Sequence, residues 1–164
     1  MEEKLIKPSF EEVEVRQLAL RRVSKTVTGG RRMRISALCA VGDGQNWVGV
    51  GLGKAAEPPD AIQKAAKQAY KDMIFVKKHG TTIPHEVWAK FGAVKVMLKP
   101  ASPGTGIIAC DPVRNILELG GIRDILTKVY GSRNVINTAY AVITVSYTHL
   151  RAHETEADLV CRLL

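Results

Sequence analysis

Met33, Ile35, Ala37, Cys39 and Val41 alternate with Arg32, Arg34 and Ser36. A period of two predicts a β-strand with one face for a core, and here the other face is cationic at its start. Upstream, Glu12 to Lys25 is rich in valine and leucine and holds neither glycine nor proline, which predicts a preceding strand. Gly29-Gly30 supplies the turn between them, because glycine takes positive φ without a steric cost. Gly42-Asp43-Gly44-Gln45-Asn46 predicts a second hairpin loop. In the third strand Val48, Val50 and Leu52 take one side and Gly49, Gly51 and Gly53 the other. A strand face made only of hydrogens predicts a neighbour packed close against it.

The period then becomes helical. Pro58-Pro59-Asp60 predicts a helix start with Asp60 as N-cap. Ile62, Ala65, Ala66, Ala69 and Met73 form its apolar stripe, while Lys64, Lys67 and Lys71 align on another face. From Val76 to Ala93, with His79-Gly80, Pro84 and Gly92, the pattern predicts a connector with little regular structure. A second unit opens with Val94, Val96 and Leu98 alternating with Lys95, Met97 and Lys99. Pro100 to Gly106 predicts a loop, and Ile107-Ile108-Ala109 a short buried run. Asp111-Pro112 predicts an N-cap with proline at the first helical position. That helix carries Val113, Ile116, Leu117 and Leu119 and ends at Gly120-Gly121. A strand from about Asp124 to Tyr130 and a helix from about Asn134 complete the pattern. The expected organisation is an extension (1–11), a β-β-β-α domain (12–75), a connector (76–93), an α/β domain (94–145) and a tail (146–164). The class is α+β.

Composition narrows the function. Hydrophobic residues make up 46% of the 164, enough for a core. The length suits one domain or two small ones. Glu2, Glu3, Glu11, Glu12 and Glu14 do not resemble a signal peptide. No stretch approaches the roughly 20 apolar residues that span a bilayer, so no membrane association is expected. Cys39, Cys110 and Cys161 are odd in number and form no C-x-x-C pair. They predict reduced core thiols in a cytosolic protein. The formal charge of +8 suits a polyanionic partner. It is also uneven. From Arg16 to Gly42 there is no acidic residue, while Arg16, Arg21, Arg22, Lys25, Arg31, Arg32 and Arg34 all fall inside. A charge run is usually a solvated face, but seven cations without one carboxylate favour a nucleic-acid surface.

Catalytic motifs fail on mechanism. Gly51-Leu-Gly53-Lys54 lacks the first glycine of a Walker loop and has Ala55 where a magnesium-binding hydroxyl is needed. The spacing of Gly49, Gly51 and Gly53 does not fit G-x-G-x-x-G either. Pro100-x-x-x-Gly104-x-Gly106 resembles the phosphate loop of the galactose, homoserine, mevalonate and phosphomevalonate kinases. Ile107 and Ile108 stand where those enzymes carry serines. His149-x-x-x-His153 is a common chance spacing, without H-E-x-x-H. His79 and His85 sit in the connector and complete no triad. No active site and no cofactor are expected.

The stretches RRVSKTVTGGRRMRISALCAVGDGQNWVGVGLGKA, AIQKAAKQAYKDMI, PASPGTGIIA, LELGGIRDILTKVYGS and RNVIN run in order from Leu20 to Ile143. Together they resemble bacterial-type small-subunit ribosomal protein five, and the ordered run is far more specific than any single motif. The resemblance implies a first domain like double-stranded-RNA-binding domains and an α/β second domain with a left-handed βαβ crossover. It implies a structural, non-catalytic protein of the cytoplasmic ribosome. Such a protein binds small-subunit ribosomal RNA, contacts neighbouring proteins four and eight, lies near the messenger entry channel and influences decoding accuracy.

The matching hairpin is Ser24 to Arg31, including Val27, Gly29 and Gly30. Arg21, Arg22, Lys25, Arg31, Arg32, Arg34 and Lys54 are the expected phosphate contacts, helped by Lys64, Lys67 and Lys71. Gly106 and Arg114 match positions at the protein-four contact. Two departures stand out. Thr28 replaces a lysine common in the family. From about Val145 the usual A-x-x-R-G-K ending gives way to SYTHLRAHETEADLVCRLL, much of which resembles a translated sequencing-library adapter. The expected protein-eight contact loses its support there. A generic double-stranded-RNA-binding module and a metabolite kinase are the rival readings.

Overall fold

In the computed structural model, which describes residues 7–10 and 12–145, the first three strands follow one another as antiparallel hairpins. They are β1 (Glu14–Val27), β2 (Gly30–Gly42) and β3 (Trp47–Ala55). Helix α1 (Pro58–Lys71) crosses one face of the sheet, and a short β4 (Ile74–Phe75) then pairs with β3. The expected β-β-β-α unit therefore gains a fourth strand, in the order β1-β2-β3-β4. The 43–46 loop is closed by Asp43, whose Oδ1 accepts from the backbone N–H groups of Gln45, Asn46 and Trp47 at 2.8 to 2.9 Å. This is the local side-chain turn that aspartate favours.

The glycine face of β3 has the neighbour that its sequence predicts. A Cβ added at Gly49 would lie 2.2 Å from the Ala69 carbonyl oxygen; at Gly53 it would lie 2.2 Å from that of Ala61. Helix backbone thus rests directly on strand backbone. The helix buries Ala61, Ala65, Ala66 and Ala69, so Ala61 takes the deep position expected of Ile62. The N-cap is Glu57, not Asp60, because both prolines lie inside the first turn, where a missing N–H costs nothing.

The second sheet has the order β5-β6-β8-β7. Its strands are β5 (Val87–Phe91), β6 (Val94–Pro100), β7 (Ile107–Ile108) and β8 (Ile125–Gly131). All neighbours are antiparallel except β7 and β8, which are parallel and joined through α2 (Asp111–Leu119) as a βαβ unit. A last helix, α3, is described over 135–145. The expected connector is thus too long, since β5 lies inside it. Val87, Ala89 and Phe91 do alternate, and Gly92-Ala93 is a two-residue turn into β6, but five residues between glycine and proline punctuation give a weak signal. The second helix starts one residue early, with Cys110 as N-cap. Cys110 is exposed, so of the described cysteines only Cys39 is the expected core thiol; its burial also pushes its pKa up. Ile108 is 53% exposed, contrary to the expected buried run, because on an edge strand Ile107 takes the inward position and Ile108 the outward one.

The two units share one core. Leu38, Ala40, Val48 and Val50 of the first sheet pack with Val94 and Val96 of β6 and Val113, Ile116 and Leu119 of α2. This explains why strict alternation fails in β2, where Ala37 to Val41 are all buried. Odd positions lie under α1 and even ones under the second unit. Across the seam the Gly44 N–H donates to the Leu119 carbonyl at 2.9 Å. Arg16 donates to Glu14 at 2.7 Å and to Glu118 of α2.

Candidate nucleic-acid interface

β2 meets β3 no further out than Ile35, which faces Ala55. The β1–β2 ladder continues past that point through Val23↔Arg34, Ser24↔Met33, Lys25↔Arg32, Thr26↔Arg31 and Val27↔Gly30. At roughly 3.4 Å per residue these five pairs form a two-stranded ribbon about 17 Å long with no third strand beside it. Every residue from Arg21 to Arg34 is exposed except Val27. Met33 is 61% exposed, so the core role its period predicted is overturned: the core ends where the third strand ends.

Register sorts the cations. Directly opposed residues in an antiparallel ladder share a face. The rows Arg21–Ser36–Lys54, Val23–Arg34 and Lys25–Arg32 therefore put Arg21, Lys25, Arg32, Arg34 and Lys54 on one face. It is the face that, further along, carries Leu38 and Val50 toward the second unit. Arg22, Ser24 and Arg31 take the opposite face, on the side of α1. Lys64, Lys67 and Lys71 are exposed on that helix, so the sheet separates them from the larger cluster. The expected phosphate contacts thus fall into two clusters, unequal in size.

Lys25 directly opposite Arg32 is an arrangement that destabilises a free hairpin. Among the described residues none of Arg21, Arg22, Lys25, Arg31, Arg32, Arg34 and Lys54 makes an ion pair. Arg16, in the same acid-free window, differs. Glu14 holds it from its own strand and Glu118 of α2 makes it a staple between the units, a pairing that sequence spacing had no means of revealing. At the tip, Thr28-Gly29 is the two-residue turn, with Gly29 at φ +90° and Gly30 at +154°. A Cβ at either glycine would meet no atom within 4 Å. The glycines serve backbone conformation and slimness, not packing.

The Pro100–Gly106 loop holds an anion of its own. The N–H groups of Gly104 and Gly106 donate to Asp124 Oδ1 at 3.0 and 2.9 Å. Asp124 is 5% exposed, and sequence reading missed its role because it is nearly twenty residues from its donors. The amides that a bound phosphate would need are thus engaged. The Gly106 N–H, then the Thr81 hydroxyl, hold the Asp124 carboxyl below its ordinary 3.8. A depressed folded pKa stabilises the fold above the unfolded value and loses that contribution as pH falls through the folded one. Protection of the Gly104 and Gly106 amides, relative to the exchange rate of an unstructured chain at the same pH, is therefore expected to fall in acid below pH 3.8, a step that Asp124→Asn abolishes. Hydrogen exchange followed by NMR checks this, and identical acid profiles would refute it. Arg114 donates to the Ile107 carbonyl at 3.3 Å, so the structure brings Gly106 and Arg114 to one rim. His149, His153 and Cys161 lie outside the described residues, as does the tail.

Comparison with known proteins gives two domain matches. The family described as ribosomal protein S5, N-terminal domain, matches residues 13–77, and ribosomal protein S5, C-terminal domain, matches residues 89–146. Relatives named small ribosomal subunit protein uS5 are similar over most of the chain. The one from Chloroflexus aurantiacus is 48% identical over 154 residues, covering 94% of this chain and 86% of its own. The one from Thermus thermophilus is 50% identical over 146 residues, covering 89% and 88%.

Proposed function

Since the chain belongs to the ribosomal protein S5 family, and is thereby a structural component of the small ribosomal subunit, we propose that its β1–β2 ribbon is the element that docks on ribosomal RNA. The observation that carries this is the Lys25–Arg32 pair, set face to face within a group of seven cations that have no carboxylate partner among the described residues. Phosphates supply the missing counter-charge, and a glycine tip lets the ribbon approach them closely. Arg21, Lys25, Arg32, Arg34 and Lys54 form the main contact face. Arg22, Ser24 and Arg31 contact from the other, and Lys64, Lys67 and Lys71 form a secondary row. Val27, Gly29 and Gly30 shape the tip.

Of the neighbouring proteins, we assign protein four to the rim carrying Gly106 and Arg114, through which the chain would influence decoding accuracy. No described residue is assigned to protein eight. The rival readings lack support: a generic RNA module leaves the second matched domain unexplained, and the kinase-like loop binds Asp124.

Titration of binding to small-subunit ribosomal RNA tests the reading. Seven phosphate contacts imply a slope of about −6 in log K against log salt, a loss of about a thousandfold or more between roughly 50 and 200 mM. A flat response would sink the assignment. A second test separates docking from folding. Gly30→Ala places a side chain at φ +154° with no atom nearby, a local strain of about 1–3 kcal/mol. Because the tip lies beyond the core, where an added Cβ meets no atom, RNA affinity is expected to fall by more than that strain costs the fold, and the melting temperature to fall less than for a substitution packed under α1. A melting temperature lowered by several degrees with unchanged RNA affinity would make the tip purely structural.

A further inference from the structure

The outward face of the second sheet carries features that the ribbon does not account for. Register puts Trp88 and Lys90 of β5, Lys95, Met97 and Lys99 of β6, and Lys128 and Tyr130 of β8 on that face. Val87, Val94, Val96 and Leu98 turn the other way into the core. Trp88 reaches over β6 to Tyr130, ring centroids 5.8 Å apart and planes within 23°. The pair is offset, and the two residues remain 41% and 45% exposed. Lys95 Nζ sits 4.4 Å from the centre of the Trp88 ring, and Trp88 Nε1 donates to Glu86 Oε1 at 2.8 Å, so the indole is held in place from two sides. The four lysines are exposed, and no acidic residue occupies an outward position on β5, β6 or β8.

Fixed, near-parallel aromatic rings ringed by lysines match what an unpaired nucleic-acid strand requires: π-faces on which bases stack, with cations that track the backbone. A duplex offers stacked bases only at its ends, so the aromatic pair favours single strands over helices. We infer that this sheet face is a second RNA contact, taking single-stranded RNA on Trp88 and Tyr130 with Lys90, Lys95, Lys99 and Lys128 on its phosphates. It is separate from the ribbon and does not depend on the ribbon's assignment.

The test uses the full chain carrying Arg21→Gln, Arg22→Gln, Lys25→Gln, Arg31→Gln, Arg32→Gln, Arg34→Gln and Lys54→Gln, which removes all seven cations of the ribbon site, with Trp47→Phe so that Trp88 is the remaining tryptophan of two. The probe is an oligouridylate of about 12 nucleotides. It is expected to quench Trp88 fluorescence saturably. By anisotropy, Trp88→Ala on the same background is expected to weaken binding roughly tenfold or more, while Trp88→Phe keeps most of it. Lys95→Gln with Lys128→Gln is expected to flatten the salt slope by about 1.4, at about 0.7 per phosphate. Circular dichroism confirms that each variant is folded. Absence of quenching, or affinity unchanged by Trp88→Ala, would overturn the inference. So would a Trp88 that ignores RNA yet is shielded in assembled small subunits, which would give the face to a protein neighbour. Failure of the ribbon assignment shows separately, as unchanged binding of folded ribosomal RNA by the ribbon-neutralised chain.

Discussion

Gly51→Ala is expected to destabilise the fold by about 3 kcal/mol or more, the upper end of what overpacking costs. The added Cβ would lie 2.3 Å from the Ala65 carbonyl oxygen and 2.4 Å from the Ala69 amide nitrogen. Both are backbone atoms of α1, so no side chain can swing aside to make room. The helix has to lift, and lifting it uncovers its own Ala61 and Ala65 together with Ala37 and Cys39 of the sheet, which are buried against one another. For a chain of this length about 3 kcal/mol corresponds to a fall in melting temperature of roughly 10 °C. Thermal and urea unfolding measure it directly. A melting temperature within about 2 °C of the parent's would mean that the helix can lift at little cost, and the close-packing account would fail. Gly30→Ala is the natural companion, since the same substitution there meets nothing.

Neutralising the opposed pair, Lys25→Gln with Arg32→Gln, is expected to separate binding from stability. Losing two phosphate contacts should reduce the salt slope by about 1.8 and, at about 0.15 M salt, weaken ribosomal RNA binding about 30-fold. Folding stability should be unchanged or rise by roughly 0.2–1 kcal/mol, because like charges directly opposite on a ladder repel in the free protein. Filter binding over a salt series and denaturant unfolding give the two readouts. A drop in stability with unaltered affinity would show that these residues maintain the fold instead of contacting RNA. Arg16 should behave in the opposite way: with both of its carboxylate partners within the chain, its loss touches the seam between the units and not the salt slope.

Most of the fold was legible where one residue's surroundings repeat along the chain. The glycine column of β3 required a close neighbour, and α1 is that neighbour. Gly120-Gly121 marked the end of α2, and the alternation of β6 marked its buried and exposed faces. Errors fell where tertiary contact overrides local pattern. Met33 has the period of a core residue but lies beyond the last β3 partner, and Ile108 is apolar but on an edge. β5 was lost in the connector because five residues between turn signals leave little periodicity to detect.

For the candidate site the division is similar. Lysine and arginine counts, the missing carboxylates and the glycine turn are written in the order of residues, and they are enough to predict a polyanion-facing hairpin between two strands. What order alone could not decide is which cations stand together. That depends on strand register and on where the third strand stops, because a shift of one residue moves every side chain to the other face. Only the folded pairing sets Lys54 beside Ser36 and Arg21, sends Arg22 and Arg31 to the helix side, and gives Arg16 to Glu118. Electrostatic partnership is a matter of a few ångströms between residues that can be a hundred positions apart. It therefore appears only once the chain has closed on itself.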